Sequence, residues 1–287
     1  MTRRIAGLGE VIGGYDALLV DLWGCVHDGV EPYAAAVDAL ERAKAAGVQV
    51  CLLSNGPRRT GPIISRLDEM GVPRDCYDHV MTSGEATWLA LAQPSDPWHR
   101  KLGRRAYHLG PDRDRSVHED AGLEMTAVVG DADFIVVTGT YDNDHTIADY
   151  EPVLAEAAAR GLPMVCANPD LVVHIGPKLA ICAGLMAERY KELGGDVAYH
   201  GKPYPSVYAR CFELLGAPDA KRVLGIGDAI RTDVAGAKGA GADALFLAGG
   251  IYSDDLGGID PPPAAVAAKA AEEGHPAPDY LLPRLAW

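Results

Sequence analysis

Hydrophobic residues alternate between two spacings along this chain. Short apolar runs at 17–20 and 48–53 end at polar residues, and each predicts a buried strand. Between them, Pro32 opens a segment in which Val37 and Leu40 share one face, and Gly47 closes it, as expected for a helix. Strands and helices that alternate over short connections predict a parallel sheet with right-handed crossovers.

The same alternation continues to the C-terminus. Further strands are predicted at 106–109, 134–137, 164–167, 222–226 and 244–247, and further helices at 63–70, 151–160, 232–239 and after Pro261-Pro-Pro263. Two breaks interrupt the pattern, a segment rich in proline and charge at 93–105 and the pair Gly194-Gly195. We therefore expect an α/β fold with a Rossmann-like core built from residues 1–86 and 197–287, and an inserted α/β domain at 87–196.

Composition narrows the class of protein. The 287 residues are 48% hydrophobic and 23% charged, as in ordinary globular proteins of about two domains. A net charge of −14 argues against non-specific binding to nucleic acid or to an anionic membrane. Six cysteines without a CxxC pair predict buried, reduced thiols. Because no long apolar stretch is present, we expect a soluble, cytoplasmic protein.

Polar residues occur at four places along the chain. Three of these stretches directly follow a predicted strand, and the remaining one precedes a helix. They are Asp21, Ser54-Asn55-Gly56, Gly201-Lys202-Pro203 and the stretch from Gly227-Asp228 to Asp233. In an open parallel sheet, ligands bind beyond the carboxyl ends of the strands. Carboxylates, a hydroxyl and an ammonium there suit phosphoryl transfer to an aspartate beside a divalent cation. Each element alone is more typical of a turn or a helix cap, so the prediction depends on all four together.

These four stretches, in this order, resemble the motifs of the haloacid dehalogenase-like hydrolase superfamily, and the resemblance spans nearly the whole chain. The long interval between Ser54 and Lys202 resembles the place of the large C2-type cap of subclass IIA, the nitrophenyl-phosphatase and nucleotide-phosphatase type. Three further stretches support this resemblance: Thr82-Ser83, 167–170 and 249–255.

The resemblance implies a role for each matching residue. Asp21 would be the nucleophile that forms an aspartyl-phosphate, assisted by Ser54 and Lys202. Mg²⁺ would be held by Asp21, the backbone carbonyl of Trp23 and Asp228, with Asp233 in support. The phosphate would be bound by four residues: Ser54, Asn55, Gly56 and Lys202. The cap would exclude water and recognise a small phosphorylated metabolite, and such caps often pair two copies of the chain into a dimer.

Trp23 departs from the family pattern. Hydrolytic members carry a second aspartate there, which protonates the leaving oxygen and then activates water. An indole is a donor only and does not titrate near neutrality, so about 10²–10⁴-fold in rate would be lost. Three alternatives remain open. The leaving group needs no proton, as with a phenol or an acyl phosphate; His27 or Asp28 substitutes; or the cap supplies an acid, for which Asp142 and His145 are candidates.

Two functions from different classes remain. A Mg²⁺-dependent phosphatase with an altered acid–base step is favoured, because Lys202 and both acidic residues of the fourth motif persist. The alternative, suggested by Trp23, is a protein that binds a phosphorylated ligand for regulation with little or no turnover. Dehalogenases also lack the second carboxylate, but they need no metal, and the presence of Asp228 and Asp233 argues against that activity.

Overall fold

The computed structural model describes residues 2–175 and 178–287. Within these residues the strands, in chain order, are β1 Arg3–Arg4, β2 Ala17–Val20, β3 Gln49–Ser54, β4 His79–Thr82, β5 Arg105–Leu109, β6 Glu124–Thr126, β7 Phe134–Val137, β8 Met164–Cys166, β9 Val172–Ile175, β10 Lys178–Ile181, β11 Val197–Tyr199, β12 Val223–Gly227, β13 Asp243–Leu247 and β14 Tyr280–Leu282. The helices are α1 Ala34–Ala45, α2 Thr60–Glu69, α3 Ser83–Ala92, α4 Ile147–Ala159, α5 Ala183–Glu192, α6 Pro205–Leu214, α7 Ala235–Gly239 and α8 Pro263–Glu272.

The chain divides into two compact units. The first contains Met1–Ser54, Gly61–Met81 and Lys202–Trp287, and the second contains Asn55–Thr60 and Thr82–Gly201. Both units are built mainly from parallel strands and helices, which confirms the predicted α/β class. The predicted domain limits at 87 and 196 stay a prediction.

A seven-stranded sheet forms the centre of the first unit, in the order β1-β14-β13-β12-β2-β3-β4. Strand β2 lies between β12 and β3 and runs parallel to both, with Val20 opposite Ile226 and Leu52. All four residues of β2 are buried, which explains the uninterrupted apolar run Ala17–Val20. Because the three strands share this register, the residues that follow them meet at one edge of the sheet.

The second unit contains a five-stranded parallel sheet, β11-β8-β7-β5-β6, and the antiparallel pair β9-β10. Strand β7 shows why its sequence is continuously apolar. Phe134 and Val136 pack into one hydrophobic cluster, whereas Ile135 and Val137 pack into another that includes residues of α4 and α5. Both faces of this sheet are therefore covered, as is usual for parallel sheets.

Most of the predicted elements are confirmed, some with shifted ends. Strands β2 and β7 have the predicted limits, and helix α4 begins at Ile147, four residues before the predicted start at 151. The helix predicted at 232–239 begins as a π-helical turn, Ile230–Val234, and continues as α7. The helix expected after Gly201-Lys202-Pro203 is α6. Several elements were not predicted: β1, β4, β6, β9, β10, β11, β14, α3 and α5.

Two predictions about composition can be compared with the fold. All six cysteines lie within the described residues, are buried and form no disulfide, as predicted. Among the helices that the structure describes, none is long and apolar enough to cross a membrane.

Candidate active site

Asp21 directly follows the buried strand β2. Its backbone N–H donates to the carbonyl of Ile226 at 2.9 Å, so the strand pairing extends to the aspartate itself. The residue is only 9% exposed, and its Oδ1 accepts a hydrogen bond from Lys202 Nζ at 2.5 Å. The sequence therefore places this carboxylate at the carboxyl edge of the sheet, where the fold binds ligands.

Lys202 connects two carboxylates of the first unit. Besides Asp21, its Nζ donates to Asp233 Oδ1 at 2.6 Å, and the lysine is 3% exposed. Asp233 lies in the π-helical turn after β12, and its Oδ2 accepts from the backbone N–H of Ala229 at 3.1 Å. A buried ammonium shared by two buried carboxylates is a strong, directional contact, and it joins residues 21, 202 and 233 into one site.

Asp228 follows β12 and lies in a glycine-lined cradle. A side chain at Gly24, which has φ of +79°, or at Gly250 would come within 2.4 or 1.9 Å of Asp228 Oδ2. The backbone N–H of Ile251 donates to the same oxygen at 3.0 Å. Only glycine lets two backbone segments approach the carboxylate this closely. In the sequence, the signal for this cradle is a glycine in each of two motifs, Gly24 after Trp23 and Gly250 after Gly249.

The site carries more buried negative than positive charge. Burial, and then the charges of Asp21 and Asp233, raise the pKa of Asp228 well above its usual value. Burial also raises the pKa of Asp233 to about 6, although the Lys202 ammonium opposes that change. Carboxylates that are buried close together resist ionisation unless a cation compensates them. Among the described ion pairs, Lys202 compensates Asp21 and Asp233, and its single positive charge faces the three carboxylates of this site.

The donor set fits a hard divalent cation. Carboxylate oxygens of Asp21 and Asp228 and the sulfur of Cys25 lie within 4.8 Å of one another, close to the roughly 4.2 Å that separates opposite oxygens around Mg²⁺. The thiol of Cys25 lies 3.9 Å from Asp21 Oδ2, and burial raises its pKa well above the usual value. A protonated thiol is a poor ligand for Mg²⁺, so the two carboxylates are the donors that fit. Sequence reasoning treated Cys25 only as a core residue and missed its position.

Trp23 lies in the loop after Asp21, with 40% of its surface exposed. The indole meets the imidazole of His27 edge-on, with ring centroids 5.7 Å apart. A side chain at Gly29, which has φ of +91°, would lie 2.4 Å from the indole. The loop is closed by the Gly24 N–H, which donates to the His27 carbonyl at 2.8 Å. The tryptophan is therefore fixed by its own loop.

His27 and Asp28 are both engaged within this loop. His27 Nδ1 accepts from the Gly29 N–H at 2.9 Å, and burial lowers the histidine's pKa to about 4. Asp28 Oδ1 accepts from the N–H groups of Val30 and Glu31, both at 2.8 Å, and the Glu31 and Val30 bonds lower its pKa. These contacts are typical of an Asx turn. The sequence proposed both residues as substitute acids or bases, and that role stays a prediction that these contacts do not favour.

The predicted phosphate ligands fall in both units. Ser54 is the last residue of β3, beside β2, at the edge that carries Asp21. Within the second unit, Asn55 Nδ2 donates to Asp170 Oδ1 at 2.8 Å, and the carbonyl of Gly56 accepts from Ser83 Oγ at 3.0 Å. The contact between Asn55 and Asp170 was not predicted, although both motifs were recognised. Phosphate binding by residues 54–56 stays a prediction.

The cap acids considered from the sequence have local partners. Asp142 Oδ1 accepts from the N–H of Asp144 at 3.0 Å, and His145 Nδ1 lies 2.9 Å from the hydroxyl of Tyr150. Tyr150 also accepts from the N–H of Tyr141 at 2.7 Å. These contacts support the turn that precedes α4 and do not require a catalytic role.

The chain is similar to known hydrolases over most of its length. A family model described as haloacid dehalogenase-like hydrolase matches residues 18–124, and one described as HAD-hydrolase-like matches 199–285. A crystal structure of a haloacid dehalogenase-like family hydrolase from Brucella suis 1330 is 34% identical, with a TM-score of 0.84 over 98% of this chain and 99% of the other.

Two further proteins carry more specific names. The ribonucleotide monophosphatase NagD of Escherichia coli K12 is 29% identical over 256 residues, covering 86% of this chain and 93% of NagD. The structure of a glycerol phosphate phosphatase from Mycobacterium tuberculosis, in complex with magnesium, is 24% identical with a TM-score of 0.66, covering 85% of this chain and 71% of the other. The second similarity concerns the fold alone.

Proposed function

The chain belongs to the haloacid dehalogenase-like hydrolase family, and from this premise we propose that it is a phosphatase of small phosphorylated metabolites that works with Mg²⁺. The phosphatase names of relatives such as NagD support the reaction class. The observation that carries the proposal is the buried group of Asp21, Lys202 and Asp233 beside Asp228 at one edge of the sheet.

In this proposal Asp21 is the nucleophile. Its carboxylate attacks phosphorus, the ester oxygen leaves with the bonding electron pair, and an aspartyl-phosphate forms. Lys202 holds the attacking carboxylate through its 2.5 Å contact and offsets negative charge on the phosphate. Asp233 holds Lys202 in place. Ser54, at the end of the neighbouring strand, together with Asn55 and Gly56 of the following loop, would bind phosphate oxygens.

Asp21 and Asp228 would hold the cation, together with the backbone carbonyl of Trp23. Mg²⁺ bound there would neutralise charge between the carboxylates and the phosphate dianion, which otherwise repel each other. The raised pKa of Asp228 supports this assignment, because three buried carboxylates carry more negative charge than the one ammonium of Lys202 offsets. Pairing of two copies through residues 87–196 stays a prediction.

Asp21→Asn tests the proposal. Phosphate release from a panel of phosphorylated metabolites with Mg²⁺ should fall by at least about 10⁴-fold in this variant. Asp16→Asn is the matched control, because Asp16 forms an exposed ion pair with Arg222 and lies outside the site. Activity that survives Asp21→Asn would exclude the aspartyl-phosphate route.

The second candidate is a protein that binds phosphorylated ligands without turnover. It is favoured by Trp23 together with the engaged side chains of His27 and Asp28. Thermal stabilisation by a phosphorylated metabolite with Mg²⁺, without phosphate release over hours, would support this function over the phosphatase.

A further inference from the structure

On the basis of the proposed function, we propose that this site acts on phosphates whose leaving oxygen departs without a proton. These substrates are aryl and acyl phosphates, which release a phenolate or a carboxylate. Phosphate esters of ordinary alcohols would be poor substrates. The juxtaposition that carries the proposal is the fixed indole of Trp23, two residues after Asp21, beside His27 and Asp28 that are both engaged in their own loop.

The conformation of residues 23–29 fixes the position of the indole. Gly29 has the positive φ that glycine adopts most readily, and its missing side chain leaves the space that the indole fills. The indole also makes an edge-on contact with the imidazole of His27. An indole N–H donates a hydrogen bond but transfers no proton near neutral pH, so residue 23 cannot protonate an alkoxide.

His27 does not replace the missing acid. The hydrogen bond from the Gly29 N–H to Nδ1 assigns the proton of the neutral ring to Nε2. His27 is only 7% exposed, and a ring whose Nδ1 already accepts a hydrogen bond carries no second proton to donate. The base position is occupied as well, because Nδ1 already accepts from the backbone.

Asp28 is also unsuited to the task. Its carboxylate caps the turn by accepting two backbone hydrogen bonds, from Val30 and Glu31. These bonds lower its pKa, so at neutral pH it is a carboxylate without a proton to give. The buried ammonium of Lys202 is committed to Asp21 and Asp233. The buried thiol of Cys25 faces Asp21 at 3.9 Å, and in the proposed function Asp228 binds the cation while Asp233 pairs with Lys202. The side chains described around Asp21 in the first unit therefore hold the nucleophile or the cation, and we assign none of them as proton donor to the leaving group.

A weakly basic leaving group needs no proton in the first step of the reaction. Asp21 forms a P–O bond, the P–O bond to the phenol or acyl oxygen breaks, and the phenolate or carboxylate leaves with the electron pair and no proton. Water then attacks the aspartyl-phosphate, the P–O bond to Asp21 breaks, and phosphate departs as a proton passes to solvent. Because neither His27 nor Asp28, as the structure describes them, is placed to activate this water, the second step should be the slow one.

The exposed part of the indole should favour aryl phosphates over acyl phosphates. Aromatic rings stack on one another more favourably than their buried area alone predicts, and 40% of the Trp23 surface is exposed. A planar phenol can use this surface, whereas a small acyl group cannot. Aryl phosphates should therefore have a lower KM than acetyl phosphate.

Pre-steady-state kinetics with the wild-type chain test the proposal without any variant. The probes are substituted phenyl phosphates, acetyl phosphate, glycerol phosphate and ribose 5-phosphate, each with Mg²⁺. We expect a burst of phenolate equal to one equivalent of enzyme, followed by a steady rate that is the same for all phenols. The alkyl phosphates should react about 10²–10⁴-fold more slowly than the aryl ones, without a burst. Alkyl rates within tenfold of aryl rates would overturn the proposal.

Two variants of Trp23 with side chains of equal size separate acid catalysis from the effect of removing the bulky indole. Trp23→Asp should raise alkyl phosphate turnover by about 10²-fold or more and abolish the burst, whereas Trp23→Asn has the same size and no titratable group and should not. Equal gains in both variants, or gains in neither when both melt as the wild type does, would overturn the proposal. Failure of every probe to release phosphate would instead reject the proposed function itself.

Discussion

A cluster of buried charges in the first unit differs from two neutral imidazoles in the second. The first unit buries the carboxylates of Asp21, Asp228 and Asp233 together with the ammonium of Lys202. Among its described residues, the second unit buries one carboxylate, that of Asp114, and contains two imidazoles that burial keeps neutral. His200 contacts His99 through their Nε2 atoms at 3.0 Å, and His108 contacts Thr138 at 2.8 Å. Burial lowers the pKa of His200 to about 3 and that of His108 to about 4.

This difference indicates that the charged cluster of the first unit is a binding or reactive site, whereas the histidines of the second unit stabilise its packing. Neutral groups that hydrogen-bond one another need no further partner, and they stabilise one packing arrangement. Buried acids in excess over their counter-charge are costly unless a cation or a ligand joins them. The excess of buried carboxylates therefore lowers the stability of the first unit, as expected for a site that binds a cation. The neutral histidines of the second unit carry no such excess charge. The predictions below test this contrast.

The largest effect is expected from removing the shared ammonium. Lys202→Met leaves Asp21 and Asp233 buried without their common partner, so the free energy of unfolding should fall by about 3–5 kcal/mol. Urea denaturation of the metal-free protein measures it. Lys238→Met is the control, since Lys238 pairs with the partly exposed Asp279 at 2.8 Å and should cost at most about 1 kcal/mol. Equal losses in the two variants would remove the distinction between site and surface.

The next effect is on the pH dependence of the metal-free protein. The pKa of Asp233 is raised from 3.8 to about 6, so its contribution to stability is present below pH 3.8 and is lost as pH rises through 6. That shift corresponds to about 3 kcal/mol. About 1.4 kcal/mol of this is lost between pH 5 and pH 8, so the chelated protein should be less stable at pH 8. Asp228→Asn should flatten the slope, because it removes a second carboxylate whose pKa is raised. A slope unaffected by Asp228→Asn would contradict the charge excess.

The smallest effect concerns His200, and its sign is opposite. Because its pKa in the folded chain is near 3 rather than 6.5, the unfolded chain takes up the extra proton, and stability is lost as pH falls below 6.5. Between pH 6.5 and 5.5 the loss should be about 1 kcal/mol. His200→Gln should reduce this dependence in chemical denaturation curves. An unchanged dependence would show that the imidazole is not held neutral.

Local features of the site were predictable from the sequence. The apolar run Ala17–Val20 followed by Asp21 predicts a buried strand that ends at a polar edge, and the structure has that strand. The start of α4 carried a signal that was missed, because Thr146 and Asp149 form a capping box at its N-terminus.

Contacts between distant parts of the chain were not predictable in the same way. The cradle around Asp228 brings together Gly24 and Gly250, whose separation in sequence gives no periodic pattern. The assignment of the His27 proton depends on the N–H of Gly29 two residues away, which requires the actual loop conformation. Burial and the fixed orientation of side chains, rather than residue type, decide these features.

The most direct test is whether Asp21 and Asp228 share a divalent cation. Isothermal titration calorimetry with Mg²⁺, on wild type, Asp228→Asn and the surface variant Asp16→Asn, measures it. We predict one Mg²⁺ per wild-type chain, at least tenfold weaker binding in Asp228→Asn, on the order of losing one carboxylate ligand, and wild-type affinity in Asp16→Asn. Equal Mg²⁺ affinity in wild type and Asp228→Asn would contradict the site as described.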